Sequence, residues 1–159
     1  MNFVFLIISL VLISGFVGSA FAQQMTVEKE YSLQEIAEMK NKAVLITTNE
    51  GTFMIELFPE DAPNTVNNFL KLVESGYYDG IVFHRIIPNF MIQAGDPNTI
   101  GADPNYRYLW GQGGPGYTIS EEFNTIQHDR GIVSMARSQH VHSAGSQFFI
   151  IHKDNNQLD

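Results

Sequence analysis

The sequence has no cysteine among its 159 residues, and it has few basic side chains. The absence of cysteine excludes disulfide bonds, thiolate metal sites, a cysteine nucleophile and a cysteine-linked lipid. Nine Lys and Arg against 17 Asp and Glu give a net charge of -8, which argues against a nucleic-acid partner because phosphate binding needs clustered cations. An uncharged or basic peptide fits this charge better, and the length accommodates a single domain.

One long uncharged and mostly apolar run is present, at residues 3–18. It is followed by Ala20-Phe21-Ala22, a small-x-small pattern that predicts a signal peptide over residues 1–22, cleavage after Ala22 and export from the cytoplasm. Neither Lys nor Arg precedes the run, so an uncleaved membrane anchor formed by residues 3–18 stays open as an alternative. The run is shorter than the roughly 20 residues that a spanning helix needs, which favours cleavage.

Residues 23–42 are polar and acidic and predict a linker. Within it, Ser32 and Glu35 form a capping-box pattern ahead of apolar residues at helical spacing, which predicts a short helix over 33–41. We interpret this segment as a spacer in front of a domain that spans 43–159.

The domain begins with β-rich runs at 43–48 and 52–58 on either side of Asn49-Glu50-Gly51, which predicts a hairpin. A helix is predicted next, because Pro63 is a typical first residue and Gly76 a typical end. Apolar residues between them recur at i, i+3, i+4 and i+7: Val66, Phe69, Leu70 and Val73. This order fits an α+β fold or a β-barrel capped by helices.

The segment from Phe83 to Asp96 predicts two short strands joined at Pro88-Asn89. In an extended chain Arg85 shares a face with apolar neighbours, so its guanidinium is expected to be desolvated and to need a partner. Two interpretations stay open on these residues alone. Arg85 is either structural, with its stem packed along the sheet and its head reaching solvent or a carboxylate, or it points into an apolar groove.

Three motifs, in this order, resemble the cyclophilin family: FHRIIPNFMIQAGD at 83–96, GIVSMA at 131–136 and AGSQFFI at 144–150. The resemblance covers residues 43–159, and residues 113–123 are similar to the prokaryotic branch. It implies a mainly β fold, a closed barrel of eight antiparallel strands with a helix over each end. It also implies a monomer that needs no cofactor. This monomer is expected to catalyse cis-trans isomerisation of X-Pro bonds in polypeptides and to assist protein folding outside the cytoplasm.

Rotation about an X-Pro bond faces a barrier of about 18 to 20 kcal/mol, and twisting localises the lone pair on the proline nitrogen. A hydrogen-bond donor for that nitrogen, an apolar pocket for the ring and polar anchors for the flanks lower this barrier without a nucleophile. The resemblance assigns catalysis to Arg85 and Gln93. It assigns substrate binding to Phe90, Met91, Ala136, Arg137, Gln147, Phe149 and Leu158.

Two departures from the family affect these expectations. Gln157 occupies the position where the best-known members carry a Trp that lines the cyclosporin site, so weaker cyclosporin binding is expected. The family also continues past the position of Asp159 through further strands and a second capping helix. The chain is therefore expected to be a fragment that lacks these elements and is poorly stable as written.

Two other functions stay open. The same fold can serve as a proline-peptide binding module or holdase chaperone with little turnover. A third hypothesis is a non-catalytic metal-binding β-domain, because His140-x-His142 can present two imidazoles on one side of an extended segment. A third ligand at suitable spacing is missing from the sequence. We therefore predict no metal site.

Two further stretches are expected to be structural. The long segment 97–116 carries Tyr106, Tyr108 and Trp110, which we expect to pack locally and fix the loop. Glu121-Glu122 is expected to be a solvated turn without a chemical role, because adjacent side chains on an extended segment point apart.

Overall fold

The computed structural model describes residues 29–155 and 157–159, so the predicted signal peptide and residues 23–28 lie outside it. In order, its helices and longer strands are α1 (Leu33–Lys40), β1 (Ala43–Thr48), β2 (Gly51–Glu56), α2 (Pro63–Glu74), β3 (Arg85–Ile87), β4 (Met91–Ala94), β5 (Val133–Met135) and β6 (Phe148–Ile151). None of the helices in these ranges has the length and apolarity to cross a membrane.

Helix α1 begins with the capping box that the sequence predicts. The Ser32 hydroxyl accepts a hydrogen bond from the Glu35 backbone N–H at 3.3 Å, and the Glu35 carboxylate accepts one from the Ser32 N–H at 2.9 Å. The ammonium of Lys29 donates to Glu35 and, together with Ser32, lowers the pKa of that carboxyl to about 2. Met39 is buried in the domain core, so this part of the predicted linker packs against the domain.

Strands β1 and β2 form the predicted hairpin, with Val44 opposite Ile55 on the buried face. Gly51 follows the two-residue turn with φ of +140°, a conformation that residues with a side chain rarely adopt. Leu45 and Met54 face each other on the opposite side of the hairpin, and each is 65% exposed. One face of this sheet therefore contributes to the core and the other carries exposed apolar groups.

Helix α2 runs from Pro63 to Glu74 and ends before Gly76, as predicted. The N-cap of α2, Ala62, has no side chain that can accept a hydrogen bond. The carboxylate of Glu122, which is distant in sequence, caps the helix instead. The Glu122 carboxylate accepts from the backbone N–H of Asn64 at 2.9 Å and of Thr65 at 2.7 Å. The prediction of a solvated turn at Glu122 is wrong, because the helix end supplies donors that the sequence pattern alone does not reveal.

The second sheet has four antiparallel strands in the order β3-β4-β6-β5. Strands β3 and β4 are joined at Pro88-Asn89 as predicted, but the strand-like runs 131–137 and 143–151 contribute only short strands. Ala144 forms an isolated bridge with Ile119, and residues 145 and 146 leave the ladder because side chains from elsewhere bind their carbonyls.

One apolar core joins the two sheets and both helices. Phe69 of α2 lies at its centre, with its ring 5.4 Å from that of Tyr78 and 5.5 Å from that of Phe148. Burial of side chains of this size contributes about 1.5 to 3 kcal/mol each. The buried members of the core are Met39, Val44, Ile55, Val66, Phe69, Leu70, Ala94 and Phe148.

The segment 97–116 contains two short 3-10 helices, Pro97–Ala102 and Pro104–Leu109. Tyr106 and Tyr108 are 51% and 70% exposed, so the prediction that they fix the loop by packing is wrong. Trp110 is half-buried, and the Arg107 guanidinium lies over its ring at 5.4 Å. Polar contacts at the two ends of the segment, described below, hold it instead.

Candidate active site

Arg85 and Gln93 lie opposite each other on β3 and β4. The turn between the strands places Asn89 at φ of +61° and closes with a hydrogen bond from the Phe90 N–H to the Ile87 carbonyl at 3.1 Å. Arg85 is exposed, so the expectation of a desolvated guanidinium is wrong. Its side chain lies at the mouth of a groove, where its donors can reach a ligand.

A chain of side-chain amides orients Arg85. Its Nη1 donates to Gln93 Oε1 at 3.3 Å, Gln93 Nε2 donates to Gln147 Oε1 at 2.8 Å, and Gln147 Nε2 donates to the Gly113 carbonyl at 2.8 Å. Each amide accepts at its oxygen and donates at its nitrogen, so all three bonds run in one direction. The backbone at Gly113 thereby helps to position the guanidinium.

The groove is an open cavity of about 1270 Å³ between the two sheets. Eight of the nine predicted site residues line it: Arg85, Phe90, Met91, Gln93, Ala136, Arg137, Phe149 and Leu158. Gln147, the ninth, does not line the groove and contacts Gln93 from behind. The structure thus brings the predicted residues together but makes Gln147 a supporting residue.

Sequence reasoning missed the groups that fix Gln147. Its neighbour Ser146 is 1% exposed and donates to the Gly95 carbonyl at 2.7 Å. The Tyr78 hydroxyl donates to the Ser146 carbonyl at 3.0 Å, and the Asn68 amide donates to the Gly145 carbonyl at 2.7 Å. The sequence contained one signal for these contacts. Asn68 lies on the predicted apolar side of α2, and a buried amide requires hydrogen-bond partners.

Gly95 is required for this close approach. A Cβ at Gly95 would lie 2.3 Å from the Ser146 carbonyl oxygen, and the glycine has φ of +92°. The Ala136 N–H donates to the Gln147 carbonyl at 2.9 Å, which ties the end of β5 to the same segment. The backbone on both sides of the groove is therefore fixed to one strip of chain.

The histidines are dispersed, and within residues 29–155 and 157–159 no group of three or more His, Asp or Glu side chains is placed to hold a metal ion. His142 Nδ1 contacts the carboxylate of Glu121. His128 lies in the groove, stacked on Phe149 at 6.1 Å, and its Nδ1 is 2.9 Å from Asp159 Oδ1. Hydrogen bonds from the backbone and ring of His128 lower the pKa of Asp159.

The family model described as "Cyclophilin type peptidyl-prolyl cis-trans isomerase/CLD" matches residues 43–159. This chain belongs to the cyclophilin-type isomerases. As a cyclophilin it has peptidyl-prolyl cis-trans isomerase activity, which confirms the activity and the family expected from its motifs.

Relatives of this cyclophilin are named for the same activity. A peptidyl-prolyl cis-trans isomerase of Synechococcus elongatus is 44% identical over 115 residues, 72% of each chain. One of Helicobacter pylori is 39% identical over 133 residues, 82% of this chain and 75% of the relative. The crystal structure of a Cryptosporidium parvum cyclophilin in the presence of the dipeptide Ala-Pro is 38% identical with a TM-score of 0.63, over 74% of this chain and 72% of that one.

Proposed function

We propose that this cyclophilin isomerises X-Pro bonds in proline-containing polypeptides, with the proline bound in the groove beside Arg85. The observation that carries this proposal is the convergence of an oriented guanidinium with an apolar wall. Met91, only 2% exposed, and Phe149 line the groove next to Arg85 and Gln93. The Cryptosporidium relative, which was crystallised with a dipeptide that ends in proline, supports this class of substrate.

Arg85 serves as the donor to the substrate. A twisted X-Pro bond has a more basic proline nitrogen than a planar one, so a guanidinium N–H binds the transition state more strongly than the ground state. Gln93 and Gln147 hold Arg85 through the amide chain, so little reorganisation is needed during rotation.

The apolar groups and the backbone have separate roles in this mechanism. Phe90, Met91, Phe149 and Leu158 hold the proline ring. The backbone at Ala136-Arg137 pairs with the extended flank of the peptide, so one side of the bond stays fixed while the other rotates.

Replacement of Arg85 tests the mechanism. We expect Arg85→Ala to lower kcat/KM by about 100-fold, the order of loss seen when a preorganised donor is removed. Exchange between cis and trans signals of a proline tetrapeptide in NMR spectra measures it, with Arg130→Ala, an exposed arginine outside the groove, as the matched control. Unchanged exchange in Arg85→Ala would refute the mechanism, and peptide binding without exchange in the wild type would favour a binding module or holdase.

We also propose that the protein works outside the cytoplasm as a monomer, after removal of residues 1–22. The uncharged run at 3–18 and the Ala20-Phe21-Ala22 pattern support export. Mass spectrometry of the extracytoplasmic fraction tests this, with Gln23 as the expected N-terminus. Intact Met1 in the membrane fraction would show that residues 3–18 remain as an anchor.

We further propose that the two sheets are parts of the closed antiparallel barrel of the cyclophilin family. We also propose that this chain belongs to the prokaryotic branch of the family. The shared core of the two sheets and the structural similarity to the Cryptosporidium cyclophilin support the barrel. In a crystal structure of the chain extended by the further strands that the family has past the position of Asp159, we expect β1 to be hydrogen-bonded on its free side to one of them. A β1 edge left open to solvent in such a structure would contradict the barrel.

A further inference from the structure

A second cavity, of about 690 Å³, also borders Arg85. Arg85 and Gln93 line both cavities, so a ligand in one is adjacent to a ligand in the other. The remaining walls come from His84, Arg107, Trp110 and Gly111. The segment 97–116 thus supplies three of the groups beside the active site, a position that its sequence does not reveal.

The charge of this cavity is opposite to that of the whole chain. Two guanidiniums, of Arg85 and Arg107, line it in a protein with a net charge of -8. Within the described residues, no carboxylate oxygen comes within 4.0 Å of either guanidinium, whereas Lys29, Lys40 and Lys42 each contact a glutamate. The two arginines therefore present unpaired positive charge to a ligand.

One other polar group at the cavity is buried and lacks a hydrogen-bond partner among the described residues. It is the Trp110 indole nitrogen, which can only donate. This nitrogen has no surface open to solvent, so the guanidiniums of Arg85 and Arg107 are the donors that a ligand in the cavity reaches.

Asp96 holds this arrangement in place through backbone hydrogen bonds, and its oxygens lie more than 4.0 Å from the guanidiniums of Arg85 and Arg107. The side chain of Asp96 is fully buried and accepts from the backbone N–H groups of Asn98, Gly111 and Gly113. These bonds tie both ends of the segment that carries Arg107 and Trp110 to the end of β4. The position of the cavity walls is therefore fixed by buried hydrogen bonds of the fold.

We propose that this cavity is a subsite for the acidic side chain, Asp or Glu, of a residue near the proline in the substrate. The inference rests on the proposed function, because the two sites share Arg85 and Gln93. Strand β5, which Ala136 directly follows, and strand β3 lie at opposite edges of the sheet. A peptide that pairs with Ala136 and crosses Arg85 therefore reaches the subsite within one or two residues after crossing, at about 3.3 Å per residue.

Peptides with blocked termini test the subsite. They contain a single proline and have Glu or Gln at the first or second position on either side. Because the two side chains are nearly the same size, the ratio of kcat/KM between each Glu and Gln pair isolates the charge. At one position we expect kcat/KM to be about fivefold higher for the Glu peptide, because its carboxylate forms a partly exposed ion pair with the two arginines. High salt is expected to reduce this preference, since it screens the charges.

Trp110, the only tryptophan in the sequence, gives an independent readout. Titration with the preferred Glu peptide is expected to change its fluorescence at a lower concentration than titration with the Gln peptide. In Arg107→Gln the Glu-to-Gln ratio is expected to fall to about half of its wild-type value, because only Arg85 remains, while Arg130→Gln, which removes an equal charge elsewhere, is expected to keep it.

The outcomes separate the two proposals. A ratio near one at every position in the wild type, or an undiminished ratio in Arg107→Gln, overturns the subsite and leaves the isomerase mechanism intact. If no peptide is isomerised, the proposed function fails, and the Trp110 titration alone decides the subsite: equal affinity for the Glu and Gln peptides overturns it.

Discussion

Gln147 holds Gln93, and through it Arg85, without lining the groove. We expect Gln147→Ala to lower kcat about tenfold with little change in KM, because a lost orienting hydrogen bond is worth roughly 1.4 kcal/mol in the transition state. NMR exchange rates at several substrate concentrations measure both constants. The exposed Gln139→Ala is the control, and a tenfold rise in KM with unchanged kcat would show that Gln147 contacts the substrate instead.

Gln157 is exposed and precedes Leu158, which lines the groove. A Trp at this position would add a flat apolar face and an N–H donor, so Gln157→Trp is expected to bind cyclosporin roughly ten- to a hundredfold more tightly. Turnover is expected to change little, since Arg85 and the apolar wall are untouched. Inhibition constants for both proteins measure the effect, and low-nanomolar inhibition of the unmodified protein would contradict it.

At the same scale, the resemblance of three motifs to the cyclophilin family was enough to predict eight residues that line the groove. Exposure was not predictable for Arg85, because alternation along a strand shows which face a side chain is on and not whether that face is covered. The cap made by Glu122 was missed for a similar reason. Its partners, Asn64 and Thr65, are more than 50 residues away in sequence.

Helix α2 depends on a cap from outside itself. Removal of the Glu122 carboxylate leaves two N–H groups at the helix start without a partner, so Glu122→Ala is expected to reduce the free energy of unfolding by about 1 to 2 kcal/mol. Urea denaturation measures this loss. Glu30→Ala, an exposed glutamate outside the helices, is the control, and equal stability of the two variants would show that the cap contributes nothing.

Elements with a strong local signal were the ones predicted well. The hairpin at Gly51, helix α2 and the capping box of α1 each follow from neighbouring residues, and each is present. Residues 143–147 have a strand-like composition but do not form a strand. Distant side chains such as Asn68 and Tyr78 bind their carbonyls, and local propensity does not include such partners.

At the scale of the molecule, burial lowers the pKa of His84, and the negative charge of Asp96 opposes this in part. Above about pH 6.5 the ring is neutral in the folded and the unfolded chain. As the pH falls below this value, the unfolded chain binds a proton that the folded chain does not, so the free energy of unfolding decreases until the lower folded pKa is reached.

We therefore expect the melting temperature of the wild type to fall between pH 7 and pH 5 more steeply than that of His84→Gln. Differential scanning calorimetry across this range measures the difference. His152→Gln, at an exposed histidine, is the control and is expected to follow the wild type. Parallel curves for His84→Gln and the wild type would contradict a buried, neutral His84.

The amide chain that ends at the Gly113 carbonyl has a consequence for how this enzyme can be redesigned. Only one backbone oxygen of the segment 97–113 takes part in orienting Arg85, and Asp96 fixes the position of that oxygen. Insertions, deletions or grafted sequences within the exposed residues 101–108 are therefore expected to leave the catalytic geometry unchanged, so long as both anchors and the buried Thr99, which accepts a hydrogen bond from the Val82 N–H, survive. Selectivity can then be rewritten in this stretch by laboratory evolution, while the isomerisation chemistry remains constant.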